Sequence, residues 1–192
     1  MDKKRIILAV AGASGTVYAI QLARHLRDAD NIELHLILSD AAIQVMELET
    51  AYTPDDLKLC ADYIYDQNDI AAPPASGSWK HSGMIICPCS MSSLAAIAQG
   101  LGTNLIHRAA DVCLKERRKL VLVTRETPLN LIHIRNMETM TLAGGTVMPA
   151  SPGFYHSPES VEDLAAHMAG RVLEQLDIPH NLYKRWCEDS QR

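Results

Sequence analysis

The segment Gly12-Ala13-Ser14-Gly15 follows the apolar run Ile6-Ile7-Leu8-Ala9-Val10 and leads at once into helix-forming residues. A glycine turn between a strand and a helix offers unpaired backbone N–H groups and the positive end of a helix dipole, so it suits an anion. Its glycines let the chain turn tightly and come close to a ligand. The order is Gly-x-x-Gly, without the third glycine of a dinucleotide fingerprint. Taken alone, it is equally a plain strand–helix turn. Two further polar edges share its position after a strand. Ser39 ends the run Glu33-Leu34-His35-Leu36-Ile37-Leu38, at a tip where an acidic side chain would hold the ribose of NAD. Asp40 follows, but Ser39 holds the tip itself. Ser90-Met91-Ser92-Ser93 opens a helix after Met84-Ile85-Ile86-Cys87. One phosphate, a polyol and a ring needing few hydrogen bonds suit these edges better than a dinucleotide does. A mononucleotide such as FMN is the expected ligand.

A second set of residues carries positive charge. Arg108 and Lys115 are seven residues apart, so two helical turns put them on one face. Arg125-Glu126 stands at the tip of the next strand, Tyr155 in a Pro/Gly loop and Arg171 on the last helix. Arg117, Arg118 and Lys119 read as a solvated helix end favoured by the dipole. Arginine, lysine and tyrosine together would hold a phosphate-bearing substrate. The sequence has no D-D-x-x-D, and Asp55-Asp56 after Thr53-Pro54 reads as a helix start. A monophosphate gripped by side chains alone is therefore expected, rather than a metal-bound diphosphate. The eight histidines show no H-E-x-x-H spacing, so no metal site is expected. Ser14 lacks a G-x-S-x-G elbow and identifiable triad partners, which argues against a hydrolase.

The elements that must position these residues alternate along the chain. Strands are expected over 5–10, 33–38, 84–87, 120–123 and 146–148. Helices are expected over 15–28, 40–46, 90–98, 104–117, 128–142 (begun by Pro128) and 159–176. Residues 53–66 read as a short helix and a short strand, and 71–83 and 149–158 as loops rich in Pro, Gly and Ser. The sum is an α/β fold: an open, mainly parallel sheet with helices on both faces, Rossmann-like or flavodoxin-like. Ligands of such sheets bind at the carboxyl ends of the strands.

At 192 residues the chain is expected to form a single domain, 1–192. A net charge of −5 argues against general nucleic-acid binding. No apolar run approaches the ~20 residues of a membrane span, and Met1-Asp2-Lys3-Lys4-Arg5 does not resemble a signal peptide. The cytoplasm is the expected compartment. The odd count of five cysteines argues against a disulfide framework. Cys87-Pro88-Cys89 falls one residue short of C-x-x-C and reads as two small buried residues at a strand end.

Taken in order and spacing, the motifs resemble those of UbiX-type flavin prenyltransferases, a family once described as aromatic acid decarboxylases. The resemblance covers nearly the whole chain. It rests on Gly12-Ala13-Ser14-Gly15, Ser39, Glu47-Leu48-Glu49-Thr50, Ala75-Ser76-Gly77-Ser78 and Pro88-Cys89-Ser90. It continues through Arg108-Ala109-Ala110-Asp111-Val112, Leu114-Lys115-Glu116-Arg117-Arg118, Arg125-Glu126-Thr127-Pro128-Leu129, Pro152-Gly153-Phe154-Tyr155-His156 and Arg185-Trp186. The resemblance implies metal-independent alkylation of reduced FMN by dimethylallyl monophosphate, first at N5 and then at C6. The prenylated FMN would pass to a UbiD-type decarboxylase. It implies a homododecamer with sites at subunit junctions. FMN would contact Gly12, Ala13, Ser14, Ser39, Ser90, Met91, Ser92, Ser93 and Arg125. The prenyl phosphate would contact Arg108, Lys115, Arg125, Tyr155 and Arg171. Ser14, Glu126, Lys115 and Glu49 would serve the chemistry, and Trp79 and Trp186 would wall the prenyl pocket. Two alternatives share the architecture. An FMN-dependent decarboxylase of the phosphopantothenoylcysteine type carries a P-x-M-N-x-x-M-W stretch that Met148–Tyr155 does not match. A non-catalytic FMN carrier would not need the phosphate-binding cluster.

Overall fold

The computed structural model describes residues 3–185. Six strands form one sheet: β1 (Lys4–Val10), β2 (Ile32–Leu38), β3 (Tyr63–Asp66), β4 (Gly83–Cys89), β5 (Lys119–Thr124) and β6 (Thr146–Pro149). Their order is β3-β2-β1-β4-β5-β6, and every pairing is parallel. Parallel neighbours need crossovers, and six helices lie in them: α1 (Thr16–Asp28), α2 (Asp40–Glu49), α3 (Pro54–Lys58), α4 (Met91–Ala98), α5 (Leu105–Lys115) and α6 (Leu131–Leu142); α7 (Val161–Gln175) follows the last strand.

The central strand is buried on both faces, which is why Ile6 to Val10 is an unbroken apolar run rather than an alternating one. Ile6, Leu8 and Val10 pack with Leu22 of α1, Met46 of α2 and Met168 of α7. Ile7 and Ala9 pack on the other side with Leu94 of α4, Ala109 of α5 and Met140 of α6. The chain leaves β1 toward β2 on one side and, later, toward β4 on the other. That reversal opens a crevice beyond the carboxyl ends of β1 and β4.

The expected elements are present, with one difference at a helix start. The sixth helix begins at Leu131, not at Pro128. Asn130 caps it by accepting from the His133 amide at 2.9 Å, and Pro128 lies in the turn before. Cys87-Pro88-Cys89 forms the end of β4 and both cysteines are fully buried, as the sequence suggests. Burial pushes the Cys89 thiol up to about 12, so it is not a nucleophile at neutral pH.

Candidate active site

The crevice holds a cleft of about 320 Å³ lined by Gly12, Ala13, Ser14, Val45, Leu48, Glu49, Ser90, Met91, Arg125 and Glu126. Its floor is the turn after β1. Gly15 takes φ 106°, a left-handed conformation that favours glycine. Gly15 is the N-cap of α1 and offers no side chain to cap it. The cap comes from α2 instead. Glu49 accepts from the Gly15 amide at 2.8 Å and from the Thr16 amide at 3.4 Å. The anion that the sequence places at this helix start is thus the protein's own carboxylate. Burial alone would raise the Glu49 carboxyl. Hydrogen bonds from Ser14 and the two amides, with the charge of Arg125, outweigh burial and hold it below its ordinary value. Gly12 meets a packing demand as well: a Cβ there would lie 2.4 Å from the Ala41 Cβ, so only glycine lets the turn seat on α2.

Ser90 caps α4. Its Oγ accepts from the Ser93 amide at 3.2 Å and lies 3.1 Å from the hydroxyls of both Ser92 and Ser93. Ser93 continues to His107 Nε2 at 3.3 Å, so this hydroxyl cluster is anchored in the core. Ser39 does the same work for α2, accepting from the Ala42 amide at 3.0 Å. Arg125 reaches the cleft from the tip of β5. Its Nε is buried and, among the described residues, has no hydrogen-bond acceptor. The neighbouring Thr124 hydroxyl is in the same condition. An unmet buried N–H is costly, so this guanidinium calls for an acceptor from a ligand. The phosphate or ring carbonyls of FMN would supply one, and the cleft's mix of amides, hydroxyls and apolar Val45, Leu48 and Met91 fits a flavin. Glu126 Oε1 accepts from the Thr127 amide at 2.9 Å at the exposed rim.

The other expected site residues lie elsewhere on the chain, and none lines this cleft. Arg108 donates to the Ala75 carbonyl at 3.2 Å and pairs with Asp111. Lys115 pairs with Glu116 at the end of α5, just before β5 begins, so it stands at the opposite edge of the sheet from the crevice. The Gly77 loop packs there, with space for a Cβ taken by Lys115 Nζ at 2.6 Å. Trp79 is at the same edge. Its carbonyl accepts from Arg118 at 2.9 Å, and Arg5, at the start of β1, stacks over its ring at 5.4 Å. Tyr155 and Arg171 form a third patch, where Tyr155 contacts His167 of α7 and Arg171 pairs with Glu174. Ser39, Ser92 and Ser93 sit at helix starts without lining the cleft. Trp186 lies outside the described residues. Val45 lines the cleft beside Leu48 and was not singled out from the sequence. Its spacing along α2, three residues before Leu48 and four before Glu49, was the available signal, since residues three and four apart share a helix face.

A parallel sheet whose crevice is lined by a glycine turn, a capped serine cluster and an acceptor-seeking arginine defines a mononucleotide-binding flavoprotein. Residues 1–172 match the Flavoprotein family. Over 185 residues the chain is 45% identical to a flavin prenyltransferase UbiX of Salmonella typhimurium, covering 95% of this chain and 98% of that one. A crystal structure of AnUbiX (PadA1) in complex with FMN and dimethylallyl pyrophosphate superimposes with TM-score 0.93 at 46% identity, covering 96% and 97% of the two chains. A dodecameric FMN-dependent UbiX-like decarboxylase from Escherichia coli O157:H7 matches with TM-score 0.93 at 43% identity over 95% and 98%. The chain belongs to the UbiX-type flavin prenyltransferase family.

Proposed function

We propose that this chain joins the dimethylallyl group of dimethylallyl monophosphate to reduced FMN and releases phosphate. The observation that carries the reading is Arg125, whose buried Nε has no acceptor among the described residues, in a cleft bounded by Ser14, Glu49 and Glu126. When bound, reduced FMN supplies the nucleophile, N5 taking the allylic carbon as its bond to phosphate oxygen breaks and C6 forming the second bond. The chain holds the ring and moves protons. Gly12, Ala13, Ser14 and Arg125 hold the flavin, with Ser39 and Ser90 to Ser93 at the adjoining helix starts. Ser14 and Glu126 assist proton movement at the ring edge, and ionised Glu49 orients Ser14 by accepting a hydrogen bond from its hydroxyl. The carbon centre needs apolar and aromatic walls, among them Trp79, rather than a base.

Arg108, Lys115, Arg125, Tyr155 and Arg171 would neutralise the departing phosphate. In one chain the cleft, the Lys115 edge and the Tyr155 patch are separate. This supports sites completed by neighbouring copies, in a homo-oligomer that we take to be a dodecamer. The product would pass to a UbiD-type decarboxylase. Among the described residues no helix is long and apolar enough to cross a membrane. The four cysteines among the described residues are buried free thiols, and these with a reduced flavin suit the reducing cytoplasm.

The test is anaerobic incubation with reduced FMN and dimethylallyl monophosphate, followed by mass analysis of the flavin and assay of phosphate. Gain of one C5 unit with equimolar phosphate supports the reading. Unmodified flavin, still tightly bound, overturns it and leaves a carrier.

A further inference from the structure

The loop after β6 lays Tyr155 and His156 against His167 on the inner face of α7. His167 is buried, whereas Tyr155 is 45% exposed. The backbone amide of Gly153 lies 3.4 Å from His167 Nδ1. An amide N–H can only donate, so Nδ1 is the acceptor and carries no proton. Burial pushes the His167 imidazole down, and the nearby His156 and Arg171 push it further, so the neutral form of the ring is favoured near pH 7. Its one proton is therefore on Nε2. Nε2 lies 3.2 Å from the Tyr155 hydroxyl, so the imidazole donates and the phenol oxygen accepts. The ring is also held in plane. His156 stacks on it at 4.7 Å with 4° between the planes, and Tyr183 packs at 4.6 Å.

We infer that His167 is a positioning residue that sets the polarity of the Tyr155 hydroxyl, so that Tyr155 donates its own proton toward the phosphate of the prenyl donor. The inference rests on the reading of Tyr155 as a phosphate ligand. The physical reason is the ambivalence of a phenol, which both donates and accepts. If the imidazole accepted from Tyr155, the phenol proton would be spent on the protein and lone pairs would face the phosphate oxygens. With the imidazole donating, the hydroxyl is prepared as a donor before the anion arrives, and the ligand need not reorient it. The Gly153 amide thereby acts on the substrate at two removes, through the tautomer it selects.

The experiment uses FMN-loaded protein in the oxidised state, in which dimethylallyl monophosphate can bind without turnover. Calorimetric titration gives its Kd for wild type, His167→Phe, His167→Gln, Tyr155→Phe and the Tyr155→Phe/His167→Phe double variant. With reduced FMN, KM and kcat are read separately. Phenylalanine keeps the stack and removes the donor, and we expect Kd and KM to rise about tenfold with kcat nearly unchanged. Glutamine, whose amide can donate in place of Nε2–H, is expected to restore most of the affinity. In the Tyr155→Phe background the loss of His167 is expected to add nothing. Wild-type affinity in His167→Phe, with Tyr155→Phe weakened, overturns the inference and leaves Tyr155 as a ligand. Wild-type affinity in Tyr155→Phe removes the ligand reading and the inference with it. An equal loss from His167→Phe with or without the Tyr155 hydroxyl marks a general packing role and overturns the inference. Should His167→Phe fail to retain FMN, the comparison of His167→Gln with the shorter His167→Asn decides: equal affinities count against donation to Tyr155.

Discussion

The Glu49 carboxylate at the end of α2 lies 2.8 Å from the Gly15 amide, 34 residues earlier, and closes the N-terminus of α1. The glycine turn is an anion site, and the protein fills it. The ligand's phosphate must therefore find its partners among the other groups of the crevice, Arg125 first. Glu49→Gln keeps an acceptor but removes the charge at the positive end of the helix dipole, at an expected cost of about 0.5 kcal/mol. Glu49→Ala also leaves the cap unmade and should cost about 1 kcal/mol. The Glu49 carboxyl titrates lower in the folded state than in the unfolded chain. Its contribution is present above the unfolded value and lost as pH falls through the folded one. The gap in thermal midpoint between wild type and Glu49→Gln should thus be full at pH 7 and shrink at acid pH. A gap that stays constant across that range would mean the charge does no capping.

Arg125 makes a contrasting prediction. Its buried Nε has no acceptor within the described protein, so the apoprotein gains nothing from that group. Arg125→Met should leave the stability of the apoprotein within about 1 kcal/mol of wild type, or raise it, because an unmet donor is removed. FMN affinity should fall at least about tenfold, the usual weight of a hydrogen bond to a charged group. Flavin fluorescence titration reads the second effect and thermal denaturation the first. A variant that unfolds early but binds FMN normally would place Arg125 in the fold rather than in the site.

How far the sequence carried these assignments depended on whether the signal was local. The buried strands were legible because β1 reads Ile6-Ile7-Leu8-Ala9-Val10 without a polar residue, which a strand covered on both faces permits. Ser39 and Ser90 were legible as helix starts because a cap acts within three residues. The start of α6 was misplaced because Pro128 and Asn130 both signal an N-terminus, and Asn130 supplies the side-chain acceptor. The partner of Gly15 was not legible. Glu49 reaches it across the fold, and nothing local in Gly12-Ala13-Ser14-Gly15 says that its amides are already taken. Gly12 read as a ligand glycine, while its close contact is with Ala41. The separation of Arg108 and Lys115 from the cleft was equally hidden, since it depends on α5 running back along the sheet.

That separation leads to a complementation test. If the Lys115 edge of one copy completes the cleft of another, Lys115→Ala and Glu126→Gln should each be nearly inactive as pure proteins. Both should still bind FMN, because Lys115 does not line the cleft and Glu126 lies at its rim. Mixed assemblies produced by co-expression should contain sites that draw a native Lys115 and a native Glu126 from different chains. Random assembly of equal amounts makes about a quarter of the sites intact, and activity should recover to about that fraction of wild type. Mass analysis of prenylated FMN measures it. Activity no greater than the sum of the two pure variants would show that both residues act from one chain.

His81 offers a test of the fold's acid limit. It lies just before β4, buried beside Trp79 and Cys113, with Nδ1 3.3 Å from the Gly83 carbonyl. Burial, reinforced by the Arg118 charge, pushes its imidazole down to about 4. Above its ordinary value of 6.5 neither folded nor unfolded His81 is protonated, and it adds no pH dependence. Between 6.5 and about 4 the unfolded chain takes up a proton that the folded chain refuses, so stability falls as pH falls. The full loss is on the order of 3 kcal/mol. His81→Asn keeps a donor for the Gly83 carbonyl and cannot be protonated. The variant should be somewhat less stable at pH 7, where it loses ring packing, yet its midpoint should fall less steeply between pH 7 and pH 4.5. His35, His107, His167 and His180 are pushed down by burial in the same direction, so the variant retains part of the acid sensitivity. Parallel pH profiles for wild type and His81→Asn would show that His81 titrates as freely in the fold as in the unfolded chain.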